Sequence, residues 1–411
     1  MSIIKTEELA VGYGDKKVVE NINIEALKGQ FICLLGPNGS GKSTILRSLC
    51  GFLAPVGGKI FLKTRDISQI KTNTLAETMA VVLTDRLSPG LMTGFDIAAL
   101  GRYPHTGFFG KLSQEDIEKT WEALHLVNAQ DIAHRFFNEL SDGQKQKLLL
   151  ARALVQEPEV IILDEPTTHL DVRHRMEVMN ILNTLTKEKG ITVILSLHEI
   201  DLALKSCDIA ILIKNNKILD YGPPEDIIQE DTMTNLFDIR SAHYNEFLGT
   251  VELTNDFPPS TFVVAGGGTG TRIFRALTKK GYGVATGILH ENDVDYYIAK
   301  TIGTPLVSEM PFRDIREHTV KVAQKQIEQL ERVVDTAFPI GSLNKQNIDL
   351  ILYAVSIGKP VYSLRSRQEC EDVYGEQAAN VQTFENMNEM LQSFSSPEAL
   401  TSPAVKATVG V

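Results

Sequence analysis

Three short stretches carry residues whose types and spacing can do phosphate chemistry. The first is Gly36, Pro37, Asn38, Gly39, Ser40, Gly41, Lys42, Ser43 and Thr44, set between the apolar run QFICLL and the helical pattern TILRSLCGFL. Glycines at this spacing let the chain curl so that successive backbone N–H groups face a phosphate. Lys42 then reaches the outer phosphates of a nucleotide, and Ser43 offers its hydroxyl to Mg2+. The second is VIILDEPTTHLD, from Val160 to Asp171. Its four apolar residues read as a buried parallel strand that delivers Asp164 and Glu165 at its carboxyl end, where ligands of open α/β sheets gather. There Asp164 can hold Mg2+, directly or through water, and Glu165 can accept a proton from an attacking water. The third, ITVILSL, delivers His198, whose imidazole can bridge a γ-phosphate and that water. Alone, the acidic pair would be a solvated strand end and His198 a structural histidine; their company gives them meaning.

A fourth stretch, NELSDGQKQKLLLARAL, poses a problem. Ser141 is a good helix N-cap, Gln144 stands three residues on as in a capping box, and Asp142 in the first turn is favoured by the helix dipole by about 0.3–1 kcal/mol. Gly143 permits close approach to its backbone. Were this turn to meet phosphate, the Asp142 carboxylate would have to face away or be offset by Lys145 and Lys147, because like charges about 4 Å apart repel by roughly 4 kcal/mol at an effective dielectric near 20.

The elements that must position these residues read as two α/β layers. FICLLG, EVIILDE, ITVILSLH and DIAILIK alternate with helical patterns, which predicts a largely parallel sheet. At LTNDFPPST the pattern breaks, placing a linker over 253–260 after a first domain at 1–252. From Thr261 a second rhythm of strands and helices predicts a smaller Rossmann-like α/β domain over 261–394, and the Ser-, Pro- and Ala-rich stretch 395–411 lacks periodicity and reads as disordered.

At 411 residues the chain is long enough for two or three cores, and 43% hydrophobic with 23% charged residues is ordinary globular composition. With 41 basic and 52 acidic residues, net −11, it lacks the cationic surplus of a nonspecific nucleic-acid binder. Cys33, Cys50, Cys207 and Cys370 have no metal-ligand spacing, which fits a reduced intracellular protein, and no apolar run reaches membrane-span length.

In their order along the chain, GPNGSGKST, LSDGQ, VIILDEP, HLD and a lone His after a strand resemble the ATP-binding subunits of ABC transporters over roughly residues 1–250. The resemblance implies a P-loop ABC-type nucleotide-binding domain with a helical subdomain at about 88–156, ATP and Mg2+ as ligands, and ATP hydrolysis. It implies that Tyr13 stacks on adenine, that Asp171 communicates across a subunit interface, and that two copies close head to tail on two ATP molecules. Ser141, Asp142, Gly143 and Gln144 would then cap the γ-phosphate held by the other copy. Where such subunits carry a Gln after a strand, MAVVLTDRL offers Thr84 and Asp85; Thr84 could touch Mg2+ or the water with a shorter reach. ALGRYPHTG, within 88–116, is similar to importers of iron siderophores, haem, cobalamin and related metal chelates. The resemblance implies a subunit at the cytoplasmic face of the membrane, on transmembrane permease subunits that work with a separate substrate-binding protein. The rival is a soluble ABC ATPase of DNA repair or translation, whose long coiled-coil insertions or tandem ATP sites are missing from this sequence.

The second domain opens on VVAGGGTGTRIFRAL, glycines between a strand and a helix whose N-terminus could receive an anion. It departs from the dinucleotide pattern, with Thr271 at the third glycine position; Glu291 or Asp293 could hold a ribose hydroxyl. A ligand would lie across the strand ends formed by Gly266 to Thr271, His290 to Asp293, and Phe338 to Asn347. The expectation is a sensor of a cytoplasmic nucleotide or of the imported compound, against a dimerisation module or a fused enzyme.

Overall fold

The structure, a computed structural model, describes residues 1–83, 89–106, 110–238 and 241–394. Thr84, Asp85, the expected start of the helical subdomain at 88 and the tail from 395 lie outside the described residues. The chain divides into two compact units, Met1–Asp238 and Ile239–Val411.

In the first unit a six-stranded sheet runs in the order Lys217–Gly222, Ile209–Lys214, Phe31–Leu35, Thr192–Leu197, Val160–Leu163 and Met79–Val82. All neighbours are parallel except the first pair. The strands Phe31–Leu35 and Val160–Leu163 are buried throughout, which is why they read as continuous apolar runs rather than alternating ones. A second, antiparallel sheet is built around the long strand Ser2–Tyr13 and shares a core with the first through Ile32, Leu34, Ile162 and Ile194. Helices Gly94–Ala99, Gln114–Leu126 and Asp142–Val155 pack together as the expected helical subdomain. Buried Arg102, from ALGRYPHTG, ties it shut: its Nε donates to Asp116 at 2.6 Å and its Nη1 to the Val155 carbonyl at 3.0 Å and to Glu157 at 2.8 Å.

The second unit is a wholly parallel six-stranded sheet. Numbered by sequence within the unit, its strands are Pro259–Val264, Gly283–His290, Leu306–Glu309, Arg332–Asp335, Val361–Ser363 and Val381–Thr383, and their spatial order is 3-2-1-4-5-6. This is the doubly wound Rossmann order. The hairpin Ala242–Asn245/Thr250–Leu253 belongs here and not to the first domain, as the expected boundary at 253–260 would have it. Arg275 Nε donates to Glu252 at 2.8 Å, and Asn245 Nδ2 donates to Thr301 at 2.7 Å.

Candidate nucleotide site and the glycine loop of the second unit

The phosphate loop leaves the strand Phe31–Leu35 and enters the helix Lys42–Leu49. Gly41 has φ of 101°, and a Cβ on it would lie 2.4 Å from Val19, so glycine is required by both conformation and space. Lys42 is folded onto the loop, its Nζ donating to the Gly36 carbonyl at 2.8 Å and the Pro37 carbonyl at 3.2 Å. Burial lowers its pKa, opposed by the nearby Glu165 and Asp164 carboxylates. Ser40 Oγ is buried with no partner among the described residues, an orphan that a phosphate oxygen would satisfy.

Ser43 Oγ donates to Asp164 Oδ1 at 3.0 Å, bringing a hydroxyl and a carboxylate together as the hard oxygen ligands that suit Mg2+. The same Oδ1 accepts from Ser196 Oγ at 2.8 Å, and Ser196 Oγ in turn accepts from the Glu165 amide at 2.8 Å. Glu165 sits at φ 50°, a left-handed conformation that costs a non-glycine residue of order 1–3 kcal/mol. That turn aims its carboxylate at His198, with Glu165 Oε1 and His198 Nε2 2.7 Å apart, while Thr168 Oγ1 donates to the other oxygen at 3.3 Å. Ser196 was not foreseen; its signal is a lone hydroxyl, fully buried, inside an otherwise apolar strand.

The structure thus assembles the phosphate loop, Asp164, Glu165 and His198. Tyr13, 55% exposed at the end of its strand, and Ser141–Gln144 stand apart from them: no hydrogen bond among the described residues joins either to the phosphate loop. Ser141 and Gln144 form the expected capping box of the helix Asp142–Val155. Asp142 points into solvent, its side chain 70% exposed and 4.0 Å from Lys145. Lys147 gives it no offset, being paired with Glu177 at 2.8 Å. The close approach expected at Gly143 comes from within the chain: a Cβ there would lie 2.5 Å from the His174 ring. That ring's Nδ1 donates to Asp171 Oδ1 at 2.9 Å, and Asp171 caps the helix Val172–Lys189 by accepting from the His174 amide at 2.8 Å. This amide, then the ring, hold the Asp171 carboxyl below its usual range. His174 is the second residue that sequence reasoning missed.

Beside this site, an apolar groove of about 330 Å3 lies between the helix Thr72–Thr78 and the helical subdomain, lined by Phe52, Leu75, Tyr103, Pro104 and Arg152 among others. Phe52 and Tyr103 are exposed.

Two family models match: residues 19–168 fit the ABC transporter family and residues 284–400 the MJ0874 family. The uncharacterized ABC transporter ATP-binding protein MJ0873 of Methanocaldococcus jannaschii is 44% identical over 289 residues, 70% of this chain and 100% of that one. The chain belongs to the ABC transporter ATP-binding proteins. This ABC protein is an ATPase. It is also 34% identical over 239 residues to the iron(3+)-hydroxamate import ATP-binding protein FhuC of Bacillus subtilis, covering 58% of this chain and 89% of that one. Among solved structures, an inward-facing ABC transporter described as of metal-chelate type aligns with TM-score 0.52 and 28% identity over 58% of this chain and 90% of its own.

In the second unit of this ABC protein the glycine loop does not present the free amides that the sequence suggested. The helix Gly270–Lys279 begins under a carboxylate: Asp295 accepts from the Gly270 amide at 2.9 Å and from the Thr271 amide and hydroxyl, both at 2.8 Å. Asp293, expected on a ribose, accepts from the Gly267 amide at 2.7 Å instead, and Glu291 accepts from Ser308 at 3.3 Å. The amides of Gly267, Gly270 and Thr271 are thus taken within the chain and are not offered to a pyrophosphate.

Proposed function

We propose that this chain is the ATP-hydrolysing subunit of an importer for an iron siderophore, haem, cobalamin or a related metal chelate. It acts as a head-to-tail pair of copies docked on permease subunits at the cytoplasmic face of the membrane, with cargo delivered by a separate substrate-binding protein. The hydrolytic part rests on one observation, the Glu165–His198 pair at 2.7 Å joined through Ser196 to the Ser43–Asp164 pair. Lys42 leaves the loop carbonyls for the outer phosphates, with the loop amides of residues 36–44 around them. Ser43 and Asp164 hold Mg2+, which when bound neutralises phosphate charge. Glu165 accepts the proton of the attacking water, and His198 orients that water and the γ-phosphate. Tyr13 offers its exposed ring to adenine. From the second copy, Ser141, Gly143 and Gln144 meet the γ-phosphate while Asp142 stays turned to solvent, and Asp171 lies at the interface.

The cargo class is supported by ALGRYPHTG and by the printed functions of the relatives. Docking is supported by the apolar groove at Phe52 and Tyr103, suited to a short helix of a membrane subunit. None of the described helices is long and apolar enough to cross a membrane. Replacing Glu165 with Gln is expected to preserve ATP binding and lower hydrolysis by about 100-fold or more; hydrolysis at the parent rate would remove Glu165 from the role of base. With the permease in vesicles, a ferric hydroxamate or corrinoid outside is expected to raise ATP turnover, and stimulation by an amino acid or sugar instead would overturn the cargo class.

A further inference from the structure

A cleft of about 610 Å3 opens at the carboxyl ends of the second unit's strands, where the strand order reverses. That position and that size are those of a small-molecule site in an open α/β sheet. Its floor is the glycine loop with Asp293; its walls are His290, Phe312 and the segment Pro339–Asn344.

The charged group of this cleft is the Asp293 carboxylate, which shares the lining with His290, Asn292, Ser342 and Asn344. Each Asp293 oxygen takes one backbone amide, Gly267 at 2.7 Å and Asp295 at 2.9 Å, and no ion pair among the described residues involves this carboxylate. His290 Nε2 lies 2.7 Å from the Arg313 carbonyl, which can only accept. Nε2 therefore carries a proton and donates to that carbonyl. At the helix start the Gly270 amide and the Thr271 amide and hydroxyl are already held by Asp295, a fully buried carboxylate that would repel a phosphate. The other wall is apolar and open: Phe312 is 79% exposed at a left-handed φ of 58°, and Ile340 is exposed beside it in the lining. Asn344 fixes that wall by accepting from the Gly341 amide at 2.7 Å and donating to the Pro339 carbonyl at 2.8 Å.

We infer that this cleft binds a phosphate-free small molecule, neutral or cationic, that presents N–H or O–H donors to Asp293 and a flat face, aromatic ring or guanidinium, to Phe312, and that Asp293 and Asp295 are what deny it to nucleotides. The inference concerns the second unit alone and stands whether or not the reading of the ATP site is right. Burial, with Asp293 adding to it, raises the Asp295 carboxyl, while the Gly270 and Thr271 donors favour its charged form.

The test uses the full chain with labelled methyl groups, read at Ile340 and Leu343 so that binding at the ATP site leaves the signal unmoved. The probes are a matched pair, adenosine and AMP, with agmatine as a phosphate-free cation. Adenosine or agmatine is expected to shift these methyls in a saturable way, and AMP to bind at least about tenfold more weakly than adenosine. Asp293→Asn retains a good N-cap for the helix Val294–Thr301, so it should fold. It is expected to narrow the gap between AMP and adenosine and to weaken agmatine. The inference is overturned if AMP matches adenosine in the parent chain, if neither adenosine nor agmatine moves the methyls, or if Asp293→Asn leaves the order of the probes unchanged.

Discussion

The sequence reading put Gly143 in the signature turn for the sake of a phosphate on another subunit, but in the folded chain the space above it is filled by His174. These two explanations predict different behaviour. Gly143→Ala forces the His174 ring away from Asp171 and is expected to lower ATP turnover about tenfold, since misplacing a positioning group by an ångström can cost up to about 100-fold. Adding His174→Ala to that variant removes the clash and should recover much of the loss, measured as kcat and KM of ATP hydrolysis. A double variant as impaired as Gly143→Ala would mean that the partner's nucleotide, not His174, demands glycine. The comparison of KM with kcat matters because a purely structural defect would follow the folded fraction and leave KM unchanged.

At the scale of elements, the helix Gln114–Leu126 shows how local signals and long-range contacts divide the work. Its start is legible in SQED: Ser113 and Asp116 form a capping box, with Ser113 Oγ accepting from the Asp116 amide at 3.2 Å. Its attachment through Arg102 is not legible, because Arg102 lies 14 residues earlier. The Ser113 amide, then its hydroxyl, then Arg102 hold the Asp116 carboxyl down to about 2, against an ordinary 3.8. A depressed carboxylate contributes stability above its unfolded pKa that is lost as pH falls through the folded one, so this contribution fades between 3.8 and about 2. Trp121, the chain's only tryptophan, sits in this helix 5.3 Å from Phe95 and reports the loss by fluorescence. Asp116→Asn is expected to lower the Trp121-monitored melting temperature by several degrees at neutral pH and to flatten its dependence below pH 4; an unchanged acid slope would exclude Asp116 as its source. The same division explains what sequence could and could not reveal elsewhere. The phosphate loop, the Asp164–Glu165 pair and His198 were legible because strand, loop and helix are contiguous there. Ser196 and Asp295 were not, because a buried polar group declares its role only through partners far along the chain.

At the scale of the whole molecule, the question is how far the two units depend on each other for hydrolysis. Both sheets of the first unit are complete by Gly222, and among the described residues no strand from beyond Asp238 joins them. The first unit also closes on itself at its end, where the buried Lys214 ammonium donates to Asp238 at 2.7 Å. The hairpin that follows belongs to the second unit by its Glu252 and Asn245 contacts, a membership that the proline-containing break at 253–260 concealed by falling after the hairpin. A chain ending at Arg240 is therefore expected to fold, to melt in one cooperative step and to keep ATP turnover within about a factor of two of the parent, as domains with their own cores do. A chain cut at 252 instead carries an unpaired hairpin whose Glu252 has lost Arg275, and it should be the more aggregation-prone of the two. Light scattering and ATPase assays on the pair separate the cases. If the shorter chain folds but no longer hydrolyses ATP, the second unit takes part in the reaction itself, and the cleft at its strand ends would have to be treated as part of the hydrolytic cycle.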